Sequence, residues 1–271
     1  MNFQPVLPFA GLSGWSFLER TRERQQEAFN SSTTIERDTE YFRENISGIT
    51  SAADLVADRR LLSVALGAFG LDDDINNKYF IRKVLEDGTL ETDALANRLA
   101  DKRYLALSKA FGFGDFSVSN TQLSDFPDKI ISAFQNRQFE ISIGEQNSDM
   151  RLALGVQRDL DGILAKDTTE NGLWFSIMGT PTLRRVFETA LGLPSSLVVV
   201  SLDQQLKVFK DRAEQIFGSS ELSQFSDPEN REKLTRLFLI RSDATTQFSG
   251  TSPGAAAVTL LQNAGYGTSL I

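Results

Sequence analysis

The sequence predicts an all-α fold, a multi-helix bundle of about nine to eleven helices by its apolar periodicity. Three observations carry that expectation. One apolar helical phrase is written twice and ends each time at a glycine: residues 55–71 read LVADRRLLSVALGAFGL and residues 99–113 read LADKRYLALSKAFGF. Three later segments open on a capping residue followed by proline, Thr180-Pro181, Asp227-Pro228 and Ser252-Pro253, which is a helix-start signature. The β-like run Val198-Val199-Val200 is too short to argue a sheet.

The elements follow in order. Residues 1–13 hold two prolines and read as an extended arm, followed by helices over 15–29 and 35–46. Ser51-Ala-Ala-Asp54 starts the repeated helix in the manner of a capping box, with Leu55, Leu62, Leu66 and Phe69 on one stripe and Gly70 as its stop. A second helix over 75–87 stops at Gly88. Thr92 caps the second copy, which runs to about 111, and residues 122–138 supply its partner. The repeated unit is therefore a helical hairpin, about residues 51–91 and 92–138. A fainter third copy pairs Leu183, Val186, Ala190, Gly192 and Leu193 with Leu61, Val64, Ala68, Gly70 and Leu71. Further helices are expected over 149–165, 181–191, 204–217, 228–240 and from 253 on, with a short apolar segment over 174–178. The expected organisation is an arm and helix over 1–30, a helical body over 31–250 and a C-terminal helix and tail over 251–271. A polar stretch at 144–149 divides the body into lobes 31–145 and 146–250.

Composition narrows the chemistry. The chain has 271 residues, no Cys and no His. That removes thiolate nucleophiles, disulfides, Ser-His triads, and the usual zinc and haem ligands. The 20 Phe, against 4 Tyr and 2 Trp, point to buried packing or adhesive contact surfaces. A net charge of −8 argues against nucleic acid as a partner. No apolar run is long enough for a membrane span, so no membrane insertion is expected. No Lys or Arg precedes Arg20, so the N-terminus lacks the basic region of a cleavable signal. Synthesis in the cytoplasm follows, with export by a machine that reads uncleaved ends left open.

The motifs point away from catalysis. Asp72-Asp73-Asp74-Ile75-Asn76-Asn77 starts like a calcium loop, but its twelfth position is Lys83 where a bidentate Glu is needed. The alternative is an acidic link that caps the next helix. Asp58 with Arg60, and Asp101 with Arg103, recur at a spacing that does not face along a helix, which suggests pairing with neighbouring helices. Phosphate-loop, dinucleotide and nucleophile-elbow patterns are missing. No catalytic residue, metal ligand or cofactor is assigned. An enzyme using carboxylates or Lys alone stays as a minor reading.

The ends are the better candidates for contact. Trp15, Phe17 and Leu18 near the start, and Tyr266, Leu270 and Ile271 at the end, either dock onto a partner or fold back onto the body.

The stretches GLSGWSFLERTRERQQEAF, DLVADRRLLSVALGAFGLDDD, KYFIRKVLEDG and ANRLADKRY resemble a domain-of-unknown-function family of alphaproteobacterial proteins encoded among flagellar genes. RLALGVQRDL, WFSIMG and ALGLP fit the same family. The resemblance covers most of the chain and brings no catalytic residue with it. It implies a helical, non-enzymatic, flagellum-associated protein, structural or assembly-related, whose partners are other flagellar proteins or copies of itself. The alternative is a cytoplasmic adaptor or export chaperone for flagellar subunits.

Overall fold

The repeated phrase folds into helices, but each copy is broken near its Asp-x-Arg. In the computed structural model, which describes residues 3–249, the first copy forms α3 (Ala52–Ala57) and α4 (Arg59–Phe69). The Ser51 hydroxyl accepts the Asp54 amide and starts α3. Asp58 is extended, with ψ 105°, and its Oδ1 accepts the amides of Arg60 and Leu61, so it caps α4. A short side chain that captures two free amides stabilises a new helix start more than it would a helix interior. The second copy repeats the break, with α6 (Leu95–Arg98), an interruption, and α7 (Arg103–Phe111). Asp101 Oδ1 again accepts the amide two residues on.

The first Asp-x-Arg pair meets a neighbouring helix, Thr33–Asn45, as expected, whereas the second closes on itself while Arg103 also donates to the Gly70 carbonyl. Asp101 lies outside the helix, so it reaches its own Arg103 at 2.6 Å. Asp58 instead accepts the Tyr41 hydroxyl at 2.7 Å, while Arg60 donates to the Arg37 carbonyl and stacks 3.9 Å over the Tyr41 ring.

The described residues form 13 α-helices and no strand. The others are α1 (Gly11–Asn30), α2 (Thr33–Asn45), α5 (Lys78–Asp87), α8 (Phe126–Gln146), α9 (Ser148–Leu164), α10 (Glu170–Gly179), α11 (Pro181–Leu191), α12 (Leu202–Phe217) and α13 (Pro228–Ser249). The all-α multi-helix expectation holds. The segment over 174–178 belongs to a full ten-residue helix, and Val198-Val199 sits in a 3-10 turn over 195–199. The acidic link also forms a 3-10 turn, and α5 starts later, at Lys78, with Asn77 rather than an aspartate at its cap. Asp72 and Asp74 are spent on packing instead: they accept Gln138 Nε2 and the Tyr104 hydroxyl. Burial first, then that bond to Asp74, pushes the Tyr104 phenol up to about 12. Among the described residues no helix is long and apolar enough to cross a membrane. The helix expected from 253 on lies outside the described residues.

The chain divides into two units. Among the described residues, one holds those up to Val6 and Thr21–Ser142, the other Leu7–Arg20 and those from Ile143 on; the chain passes from one to the other after Val6, inside α1 after Arg20 and inside α8 after Ser142. In the first unit α4 packs on α2, α3 and α7. Leu62, Leu66, Ile81, Leu107 and Phe111 are fully buried there, with Phe111 edge-on to Phe126 at 5.0 Å. In the second unit α11 packs on α9, α10, α12 and α13, around Trp174, Phe187, Phe209 and Phe225.

The three copies share one ending. Gly70, Gly112 and Gly192 are all left-handed caps, with φ of 70°, 67° and 66°. In each case the carbonyl of the alanine two residues earlier would be left without an intrahelical partner, and a distant side chain supplies one. Arg137 Nε donates to Ala68 O at 2.9 Å, Asn120 Nδ2 to Ala110 O at 3.0 Å, and Arg241 to Ala190 O. The first and third copies agree further: Leu71 N reaches back to Leu66 O, and Leu193 N to Glu188 O. Each arginine also sits three residues after a phenylalanine, Phe134 on α8 and Phe238 on α13. The faint third copy is thus the structural counterpart of the first. Arg137→Met and Arg241→Met should each lose about 1.5–3 kcal/mol, the range for a bond with a charged donor. Urea unfolding of the two variants checks this, and matched losses are expected.

Candidate protein-binding surfaces

Helix α1 carries the N-terminal candidates. Gly11 opens it at φ 59°. Gly14 lies so close to the Phe9 carbonyl that an added Cβ would come within 2.0 Å of that oxygen, so the chain before α1 folds tightly over its first turn. This part of α1 belongs to the second unit and runs antiparallel to α13: Gly11 lies beside Asp243, and Glu19 senses the charges of Glu232 and Arg236. Trp15 and Leu18 are buried, at 9% and 0% exposure, so of the three N-terminal candidates only Phe17 reaches the surface, half-buried. Phe17 lines an open cleft with Phe9, Leu12, Ser13, Ser16 and Arg20. Phe9, in a segment read as arm, is 60% exposed and forms the cleft's apolar rim. Tyr266, Leu270 and Ile271 lie outside the described residues.

Beside this cleft, burial pushes the Glu19 carboxyl above its ordinary range; the Glu232 charge adds to this, while the Trp15 indole and Arg236 oppose it. A carboxyl raised in the folded state favours folding fully below its unfolded pKa, and that contribution is lost as pH rises through the folded value. Glu19→Gln should therefore raise stability at pH 7, by at most about 1 kcal/mol after solvent screening, and leave it unchanged near pH 3. Urea titrations at the two pH values check the sign.

A second apolar surface escaped the sequence reading. Val198, Val199, Val200 and Leu202 are 65%, 81%, 37% and 60% exposed, in the turn between α11 and α12. The same turn after Gly70 in the first unit carries Asp72, Asp73 and Asp74. Equivalent turns thus present opposite chemistry. The signal was visible in the sequence, since three consecutive valines fit no one-sided helical stripe. A third patch lies in the first unit, where Asp115 accepts the Thr89 and Leu90 amides and holds Leu90 close to Phe116; these two and Val118 are 68%, 54% and 60% exposed. No group of three or more acidic side chains able to hold a metal occurs among the described residues.

Comparison with known proteins gives a family and a fold. No curated protein matches the chain at a significant level. A crystal structure of a protein from Agrobacterium tumefaciens, determined by a structural genomics consortium, is similar to it with a TM-score of 0.70 and 26% identity. That similarity covers 89% of this chain and 98% of the other. The model of the family described as protein of unknown function DUF1217 matches residues 68–230, more than half of the chain, and the chain belongs to that family.

Proposed function

We propose that this protein is a non-enzymatic component of the bacterial flagellum, structural or assembly-related, that works through protein–protein contacts. The observation that carries the contact role is the uncovered run Val198, Val199, Val200 and Leu202. Single exposed apolar residues are ordinary, but four within five positions keep a contiguous apolar surface in water, a cost that a partner relieves. The flagellar assignment is supported by the resemblance of the sequence to proteins encoded among flagellar genes. The lack of Cys and His, and of any nucleotide or nucleophile motif, fits a role without chemistry.

The test uses point substitutions, because deleting residues 1–30 would also remove the buried Trp15, Leu18 and Phe29. The full chain is tagged in its native host, and purified hook–basal bodies, secreted protein and cytosol are probed by immunoblot. The tagged chain should co-purify with the flagellar structures, and Val199→Lys should reduce that signal at least tenfold. A chain confined to the cytosol overturns the structural role and favours an adaptor or export chaperone.

A further inference from the structure

We infer that the exposed valine run of one copy docks on the apolar patch Leu90, Phe116 and Val118 of a second copy of this chain. Such pairing rests on the contact role proposed above for the valine run and names its partner. It does not depend on the flagellar assignment.

Neither surface is a loose loop tip. The chain around Leu90 is pinned from both sides. Asp115 accepts the Thr89 and Leu90 amides, and Asn97 Nδ2 donates to the Thr89 and Glu91 carbonyls at 2.9 and 2.7 Å. The valine run is held by the buried Gln205, whose Nε2 donates to Val200 O at 2.8 Å while Arg184 donates to its Oε1 at 2.8 Å. Both turns therefore hold apolar side chains in water at fixed positions, which lowers the ordering cost of docking.

Charge selects the pairing. The chain carries a net charge of −8, so two copies repel wherever acidic faces meet. Residues 189–202 hold no charged side chain, so the valine run is a face that a second acidic copy can approach. Around Leu90 the chain is acidic: residues 86–93 hold Glu86, Asp87, Glu91 and Asp93 and no basic residue. Glu86 and Asp87 are paired with Arg82 and Lys83, whereas Glu91 and Asp93 are exposed and in no ion pair among the described residues. Lys102 is bonded to the Asn97 carbonyl at 2.8 Å. A contact of this patch with its own copy would set Glu91 and Asp93 against like charges, which costs affinity. The uncharged valine run sets no charge against them. An interface draws most of its affinity from a small packed centre, and three or four apolar side chains on each face suffice for one. A single repeated contact then covers both apolar surfaces. Because the two surfaces differ, a bound copy still offers one of them, and association closes into a ring or continues copy after copy.

Sedimentation velocity of the full chain tests this with Val199→Lys and Leu90→Lys, both at exposed positions. Circular dichroism melting checks that each variant keeps the parent's midpoint; Val199→Ser and Leu90→Ser, which add no charge, replace a lysine that lowers it. The parent's sedimentation coefficient should rise with concentration. Each variant alone should stay a monomer over the same range. An equimolar mixture of the two should form a one-to-one pair, since one variant keeps the Leu90 patch and the other keeps the valine run. A parent that stays monomeric overturns the pairing, and the hook–basal-body experiment then still decides the contact role with a different protein as partner. A Leu90→Lys chain that still dimerises would show the valine run pairing with itself. A Val199→Lys chain that still dimerises would show the same of the Leu90 patch. A mixture that stays monomeric would show that the two surfaces do not meet. Each of these three results also overturns the pairing.

Discussion

Replacing Gly88 by alanine is expected to cost about 3–4 kcal/mol and to lower the thermal midpoint by about 10 °C. Gly88 ends α5 at φ 69° and ψ −155°, a region that side chains with a Cβ avoid almost entirely. The backbone term alone accounts for about 1–3 kcal/mol. The rest comes from packing. An added Cβ would lie 2.4 Å from Asp115 Oδ1 and 2.8 Å from the Gly114 carbonyl carbon. Asp115 cannot yield without loss, because its carboxylate accepts the Thr89 amide, the Thr89 hydroxyl and the Leu90 amide. Gly114 cannot yield either, since its own Cα faces Glu86 O and Gly88 N at distances that exclude a side chain. Two glycines thus meet back to back, and the loop carrying Leu90 and Phe116 hangs on that contact. Gly48→Ala is the matched control, with a normal φ and nothing within 4 Å of the new methyl. Thermal unfolding followed by circular dichroism should show the first variant shifted and the second within about 0.5 kcal/mol of the parent. A Gly88→Ala chain that melts with the parent would mean that the turn is not fixed in this geometry.

What the sequence made legible here is local. Gly70, Gly112 and Gly192 were readable as helix ends because a left-handed cap is a property of one residue and its preceding turn. Thr180-Pro181 opens α11 where it was expected, for the same reason. The repeated phrase was readable, but the break at Asp58 was not: apolar periodicity continues across it, and only the capture of two amides shows that a new helix has begun. The partners of the three alanine carbonyls were invisible as well, because Arg137 and Arg241 lie 69 and 51 residues from the groups they satisfy. Pairings of that range are set by the packed fold rather than by neighbouring residues. The N-terminal candidates show the same limit. Aromatic content marked residues 15–18 as important without separating Leu18, which is fully buried, from Phe17, which faces a cleft. A helix offers both faces to a sequence reader, and only its neighbours decide which one water sees.

Truncating Trp174 to alanine should have the largest effect on the second unit, about 3–5 kcal/mol. The WFSIMG segment reads as a short apolar run, yet α10 buries Leu173, Trp174, Ile177 and Met178. Trp174 is fully buried, edge-on to Phe187 at 5.7 Å and tilted against Phe209 at 6.1 Å. Phe187 continues the cluster to Phe225 at 5.2 Å, and Phe225 to Phe217 at 4.9 Å. The indole N–H also donates to Ser220 O at 3.0 Å, so truncation opens a cavity and strips that carbonyl of its partner together. Trp174→Phe keeps most of the ring and loses only the bond, and about 1–2 kcal/mol is expected for it. The pair of variants therefore separates packing from hydrogen bonding. Because the cluster draws only on α10, α11, α12 and the 3-10 turn over 222–226, hydrogen exchange in the alanine variant should accelerate first in those elements. Amides of α4 and α5, whose core is built on Leu62, Leu66, Ile81 and Leu85, should keep their protection at the same denaturant concentration. Equal acceleration in both sets would show that the two cores open as one cooperative body, against the independence expected of them.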